Sequence, residues 1–356
     1  MSLAPPRIGL GALPEYARER LEAAERFAAP RLTREAFALT GLDLELRCAD
    51  PDFVALCRAR LVERADTTPA PHRASVHVLD PTLAGWAPPA LWDVDAGFLS
   101  REFDRALAAA GLRGYYHHDA PSWQVFDPTA GVGVHALPAP MAIPPWERGS
   151  PLRLFLHWAY TAGGARLAHA ATLGLAGRGA LLVGPSGSGK SGATLAGLLY
   201  GLTSAGDDYV VLSDGPEIVA DAIFRVFKQD EAGLRRVGLS PQRLAAGPAN
   251  WRGKYEFDAP TLAPDRFVPR LAIAAVVIPE IARLPRTRIE PVSAQTAALA
   301  VAPSAVLQLP GDADDGFRFF ARLARRLPAY RARLSEDPAE IAAAIGALLA
   351  DLRDAA

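Results

Sequence analysis

Apolar positions recur at helical spacing in two stretches near the start of the chain. Residues 14–29 (PEYARERLEAAERFAA) set them among charged residues, and 51–64 (PDFVALCRARLVER) repeat the pattern behind a helix-starting proline. Both are expected as helices. Elsewhere in this part the period shortens to two, and LDLELRC (42–48) and SVHVLD (75–80) alternate as half-buried strands. SWQVFD (122–127) and GVGVHAL (131–137) flank a Pro-Thr-Ala turn and predict a hairpin. Residues 138–151 (PAPMAIPPWERGSP) are rich in proline and carry no period. They are expected as a linker after an α+β domain over 1–137.

The second part opens with a helical pattern, LRLFLHWAYTAG (152–163). Two strand-like runs follow, LAHAATLGL (167–175) and GALLVG (179–184), joined by a tight Ala-Gly-Arg-Gly turn. DYVVLSD (208–214), EIVADAIFRVF (217–227) and LAIAAVVI (271–278) also read as strands, the last apolar enough to be buried on both faces. AQTAALAVA (294–302), FRFFARLARRL (317–327) and PAEIAAAIGALLADLRD (338–354) read as helices. The pattern predicts a mixed α/β domain over 152–356.

Composition adds limits. A chain of 356 residues suits two domains on a prior of ~150 residues each. With 50% hydrophobic and 22% charged residues it belongs among folded proteins rather than disordered ones. The formal net charge of −1 argues against a protein whose main work is neutralising nucleic-acid phosphates. The longest apolar runs, 271–279 and 341–350, are too short to span a bilayer, and residues 1–20 show no basic-then-apolar signal pattern. Cys48 and Cys57 lack CxxC spacing and fit a reducing compartment. A cytoplasmic protein with neither a nucleic-acid nor a membrane partner is therefore expected; whether it forms a homo-oligomer stays open. One count is sharper. Of 38 basic residues only Lys190, Lys228 and Lys254 are lysines. Where arginine is the default cation, lysine should persist at places that need a compact ammonium.

Residues 184–191, GPSGSGKS, satisfy Gly-x-x-x-x-Gly-Lys-Ser/Thr in full. The run follows an apolar strand pattern and opens a helical one, the context a phosphate-binding loop requires. Gly184, Pro185, Ser186, Gly187, Ser188 and Gly189 would offer backbone N–H groups to phosphates at a helix N-terminus. Lys190 would reach the β- and γ-phosphates, and the Ser191 hydroxyl would ligate Mg2+. Downstream, Asp207 and Asp208 precede the apolar run VVL rather than ending one. One of two such carboxylates can hold Mg2+ while the other takes a proton from an attacking hydroxyl. The plainer alternative is an Asp-rich turn capping a strand.

Residues 169–208, from His169 through the glycine-rich loop to the Asp-Asp pair, resemble the catalytic core of HPr kinase/phosphorylase. This is the HPr serine kinase C-terminal domain family, with a phosphoenolpyruvate carboxykinase-like fold. His169 stands fifteen residues before Gly184 and Asp207 sixteen after Ser191, as in that family. The resemblance implies that Lys190 and the loop hold ATP, that Ser191 and Asp208 hold Mg2+, that Asp207 is the base, and that His169 borders the active site. Gly192 replaces the family's Glu after the loop, and its Glu-x-Arg-Gly-Leu-Gly signature has no copy, the nearest string being EAGLRRVGL (231–239). The implied activity is Mg·ATP-dependent phosphorylation of a Ser or Thr hydroxyl on a small protein or peptide, with the phosphorylase direction left open. Alternatives are a small-metabolite kinase using the same site and an ATP-binding regulatory module without turnover.

Other residues are weaker candidates. Lys228 and Lys254 could touch phosphate or be solvated loop lysines. His117 and His118 look like a metal pair, but neighbours on a strand face opposite ways, and packing is the plainer role. The six tryptophans read as core residues. Arg318, Arg322, Arg325 and Arg326 share part of a helical face, a solvated one in the plainer reading and an acidic-partner site in the sharper.

Overall fold

The computed structural model describes residues 9–81, 84–86, 99–117, 122–303, 309 and 313–354. His118, Trp92 and most of the 302–311 segment lie outside the described residues. The chain is mixed α/β and divides into two compact units, Met1–Gly163 and Gly164–Ala356.

The first unit contains α1 (Leu13–Arg31), β1 (Thr33–Leu39), β2 (Leu42–Cys48), α2 (Pro51–Arg60), β3 (His72–Leu79), α3 (Leu99–Ala108), β4 (Arg113–His117), β5 (Ser122–Asp127), β6 (Val132–Ala136) and α4 (Arg153–Ala162). Its six strands form one sheet in the order β1-β2-β3-β6-β5-β4. The expected hairpin is β5–β6, antiparallel with Val125 opposite Val134. Pro51 starts α2 because Asp50 caps it, its side chain accepting from the amides of Asp52 and Phe53. Leu21 of α1 and Phe103 of α3 share a core with Trp123 and Val134 of the sheet. Trp158 of α4 stacks on Phe126, and Phe155 meets both rings edge-on.

That last contact moves the boundary. Residues 138–151 hold two short 3-10 turns, Pro140–Ala142 and Pro145–Glu147, and bury Ile143, Glu147 and Ser150. The first unit therefore runs through the expected linker and takes in α4, which sequence reading had placed in the second domain. Proline removes the period without removing the burial.

Glu147 is 2% exposed and accepts from Gln124 Nε2 at 3.2 and 3.4 Å. His117 Nε2 lies 3.3 Å from its Oε1, and His135 Nε2 lies 3.3 Å from Gln124 Nε2. His117 is thus packed against a buried carboxyl group, the packing role. Burial would raise the Glu147 carboxyl, but His117, His135 and Arg153 outweigh it and bring it down to about 2. Burial, opposed by Glu147 and helped by His117, pushes His135 down to about 4.

The second unit comprises β7 (Arg166–Ala168), β8 (Ala171–Leu175), β9 (Arg178–Leu182), α5 (Lys190–Leu199), β10 (Val210–Asp214), β11 (Ile218–Ala222), β12 (Val226–Asp230), α6 (Glu231–Arg236), β13 (Lys254–Asp258), α7 (Ala259–Leu262), β14 (Arg270–Leu284), β15 (Arg288–Val292), α8 (Ala294–Pro303), α9 (Ala313–Arg326), β16 (Ala329–Ser335) and α10 (Pro338–Asp354). The long strand β14 organises the main sheet, pairing parallel with β9 and β16 and antiparallel with β11. Buried residues of β8, β9, β14 and β16 share a core with Ala193 of α5 and with Ile341, Ile345 and Leu349 of α10. β12 and β13 form a separate two-stranded sheet.

Two expected strands are each split. The run 167–175 breaks after Ala168, where the Ala170 amide donates back to the Ala168 carbonyl, so β7 pairs with β10 and β8 with β9. The run 217–227 breaks between β11 and β12, which join different sheets. Among the described residues no helix is long and apolar enough to cross a membrane.

The first unit should lose stability in mild acid. His135 titrates in the folded state at about 4, below its ordinary ~6.5, so the unfolded chain takes the proton first as pH falls. Its contribution disappears between ~pH 6.5 and about 4, and that of Glu147 follows as pH falls through the carboxylate range toward about 2. Hydrogen-exchange protection of 122–136 should drop from pH 7 to pH 5 after correction for intrinsic rates. The drop should be smaller in His135→Gln; an equal drop in the variant contradicts the assignment.

Candidate active site

The glycine-rich loop sits where the sheet hands over to α5. The Val183 amide donates to the Val277 carbonyl at 3.0 Å, carrying the β9–β14 ladder to the edge of residue 184. Gly184, Pro185, Ser186, Gly187, Ser188 and Gly189 form the turn, and Lys190 opens the helix. Gly189 has φ 109°, and a Cβ there would lie 2.8 Å from Leu334 Cδ1. Only glycine fits both the angle and the close approach. Lys190 is buried, its Nζ donating to the carbonyls of Gly184 at 2.7 Å and Pro185 at 3.2 Å. Burial lowers its pKa, Asp207 and Asp208 oppose that, and Lys254 adds to it; the net direction is down.

A hydroxyl clamp presents the two aspartates. The Thr172 amide on β8 donates to the Gly206 carbonyl at 2.9 Å, and Thr172 Oγ1 accepts from the Ala205 amide at 2.8 Å. Ser204 Oγ accepts from the Gly206 amide at 3.1 Å and lies 3.2 Å from Thr172 Oγ1. A Cβ at Gly206 would meet Val210 Cγ1 at 2.8 Å and the Tyr209 carbonyl at 3.0 Å, so the backbone can turn this tightly only without one. The segment 204–206 is thereby fixed just before Asp207.

The two carboxylates have different surroundings. Asp207 is 3% exposed; its Oδ2 accepts from the Lys228 amide at 3.3 Å, and its Oδ1 is buried with no hydrogen-bond partner among the described residues. Burial and then the neighbouring Asp208 raise it to about 6, against the Lys228 amide, the Lys254 charge and the nearby Ser191 hydroxyl. Asp208 is held at both oxygens. His169 Nε2 lies 3.1 Å from Oδ1, and Lys228 Nζ donates to Oδ2 at 2.8 Å. Burial would raise Asp208, but Lys228 and His169 overcome it and keep the carboxyl well below the ordinary range. The His169 ring lies 5.4 Å from that of Tyr209, which meets Phe224 edge-on.

Lys190, Ser191, Asp207, Asp208 and His169 therefore come together. Lys228 joins them directly, and Lys254 acts electrostatically on both Asp207 and Lys190. All the lysines of the chain surround this pair of aspartates. Arg252, not singled out in the sequence, donates from Nη1 to Ser186 Oγ at 3.3 Å. The arginines of α9 lie elsewhere: Arg322 and Arg326 pair with Asp214, and Arg318 with Asp315. Trp86, Trp123 and Trp158 are core residues, whereas Trp251, next to Arg252, is 54% exposed.

The site fits a magnesium nucleotide. Buried Asp207 Oδ1 is an oxygen left for a ligand or proton, and the loop is a glycine cradle with a lysine at its base. Among the described residues no group of three or more His, Cys, Asp or Glu could hold a metal. Mg2+ needs none, since it binds through one or two carboxylates, waters and substrate phosphates.

No protein-family model matches the chain, and no curated protein matches it. Among solved structures, the chain is similar to the Hpr(Ser) kinase/phosphatase from Coxiella burnetii, at 15% identity and a TM-score of 0.28. That similarity covers 53% of this chain and 97% of the other.

Thr172→Val tests the clamp. It keeps the shape but removes the acceptor for the Ala205 amide, which should cost about 1–3 kcal/mol in denaturant unfolding of the second unit. Tyr209 fluorescence or exchange of the 204–208 amides should report loosening there. Unchanged stability and exchange would mean that the aspartates are positioned by something else.

Proposed function

We propose that the chain is a Mg·ATP-dependent kinase that transfers a γ-phosphoryl group to a hydroxyl, that of Ser or Thr on a small protein or peptide. The observation that carries this reading is Asp207 Oδ1, buried and, among the described residues, without a hydrogen-bond partner, beside the loop that Lys190 closes. A module that only bound ATP would have no use for such an oxygen next to an already satisfied carboxylate. A small-metabolite acceptor would use the same chemistry.

In this reading the loop amides and Lys190 Nζ hold the phosphates, and Ser191 and Asp208 hold Mg2+. Bound Mg·ATP supplies the transferable group and screens its charge. Lys190 exchanges its bonds to the Gly184 and Pro185 carbonyls for phosphate oxygens. Asp207 Oδ1 accepts the proton of the acceptor hydroxyl as its oxygen forms a bond to the γ-phosphorus. The bond from that phosphorus to the β-bridging oxygen breaks, and ADP leaves. His169 keeps Asp208 oriented from its other oxygen. Positioning and charge neutralisation are most of what such a transfer demands.

Two variants separate binding from chemistry. Lys190→Ala should weaken ATP binding at least about tenfold by calorimetry, because a charge-assisted phosphate contact is lost. Asp207→Asn should retain Mg·ATP binding while ATP turnover falls by about 10²–10⁴, the contribution of a positioned base. Turnover can be followed as slow hydrolysis or as labelling of proteins in a lysate. Wild-type turnover in Asp207→Asn would refute the base, and unchanged ATP affinity in a folded Lys190→Ala would refute the loop assignment.

A further inference from the structure

We infer that Lys228 is an internal counter-ion that keeps the aspartate pair from taking a divalent cation until a nucleotide's phosphates arrive, so that metal enters with nucleotide. This deepens the kinase reading of the same site and rests on it. The Lys228 ammonium is mostly buried and 2.8 Å from Asp208 Oδ2, the carboxylate proposed for the metal. Its backbone amide also holds Asp207 Oδ2 at 3.3 Å. One residue of β12 thus grips both carboxylates, by charge at one and by its main chain at the other.

The surrounding charge points the same way. Lys190 acts on both aspartates and Lys254 on Asp207, while Glu256, opposite Lys228 on β13, and Tyr209 also act on Lys228. Asp208 has a nitrogen donor on each oxygen. A bare divalent ion would have to displace an ammonium from a half-buried carboxylate without bringing any negative charge. A polyphosphate changes that balance. It brings several negative charges to the loop and gives Lys228 Nζ a new partner, which frees Asp208 Oδ2. A lysine suits this better than an arginine, since its flexible point charge can change partners where a planar fork is committed to one.

The test is calorimetric titration of Mn2+, without nucleotide, into the full-length protein and its Lys228→Met and Lys228→Arg variants. Wild type and Lys228→Arg should bind weakly, with Kd above about 1 mM. Lys228→Met should bind at least about tenfold more tightly, because a positive charge in contact with the carboxylate is gone. ATP should tighten Mn2+ binding to wild type far more than to Lys228→Met. Circular dichroism melts establish that each variant is folded, with Lys228→Gln used if Lys228→Met is not. An unchanged or weakened Mn2+ affinity in a folded, charge-removed variant overturns the inference, as does tight Mn2+ binding by nucleotide-free wild type. If wild type binds no ATP, the kinase reading fails, while the Mn2+ comparison still decides the role of Lys228.

Discussion

Two adjacent aspartates, one buried and one half-buried, beside a glycine-rich loop set the terms for the second unit. An unpaired carboxylate taken out of water costs several kcal/mol, and two neighbours also repel. Ion pairing is concentrated on one of them: Lys228 and His169 bind Asp208 and hold it ionised. Asp207 receives the Lys228 amide, with the Ser191 hydroxyl nearby, and its Oδ1 has no hydrogen-bond partner among the described residues. The asymmetry gives one residue type two different surroundings. It needs the β12 backbone at a fixed distance from the 204–208 segment, which explains the Thr172–Ser204–Gly206 clamp on one side and the Phe227–Leu195 core on the other.

The sequence revealed the local parts of this arrangement and missed the parts made by pairing. The loop 184–191 was legible because its glycines, lysine and serine follow one another along the chain. Asp207 and Asp208 were legible by their distance from it. The break at His169–Ala170 was not, since apolar residues continue on both sides while the hydrogen-bond partner changes from β10 to β9. β16, AYRARLS, was missed because its alternation is carried partly by arginines and became a strand only by pairing with β14. Lys228 was flagged by the rarity of lysine, but its partner lies twenty residues away in the bend before β10. Composition named the residue, and the fold supplied its role.

In the first unit α1, α2, α4, the β5–β6 hairpin and the strands β2 and β3 followed from periodicity, while α3, β1 and β4 did not. The proline-rich segment shows why composition is a poor guide to boundaries. Glu147 within it is the buried partner of His117 and Gln124, so the segment is tied into the unit by a charge that cannot be left alone. In the same cluster burial holds His135 down while its neighbours hold Glu147 down.

The central claim is that a γ-phosphoryl group leaves ATP for a hydroxyl. It is tested most directly by incubating the full-length protein and Mg2+ with ATP labelled at either the γ- or the α-phosphate, in the presence of a cell lysate. The account predicts acid-stable, alkali-labile label on a protein or peptide from the γ-position alone, with ADP formed in step and both lost when Mg2+ is chelated. Label transferred from the α-position, or tight ATP binding with neither label transfer nor ADP formation, would contradict it.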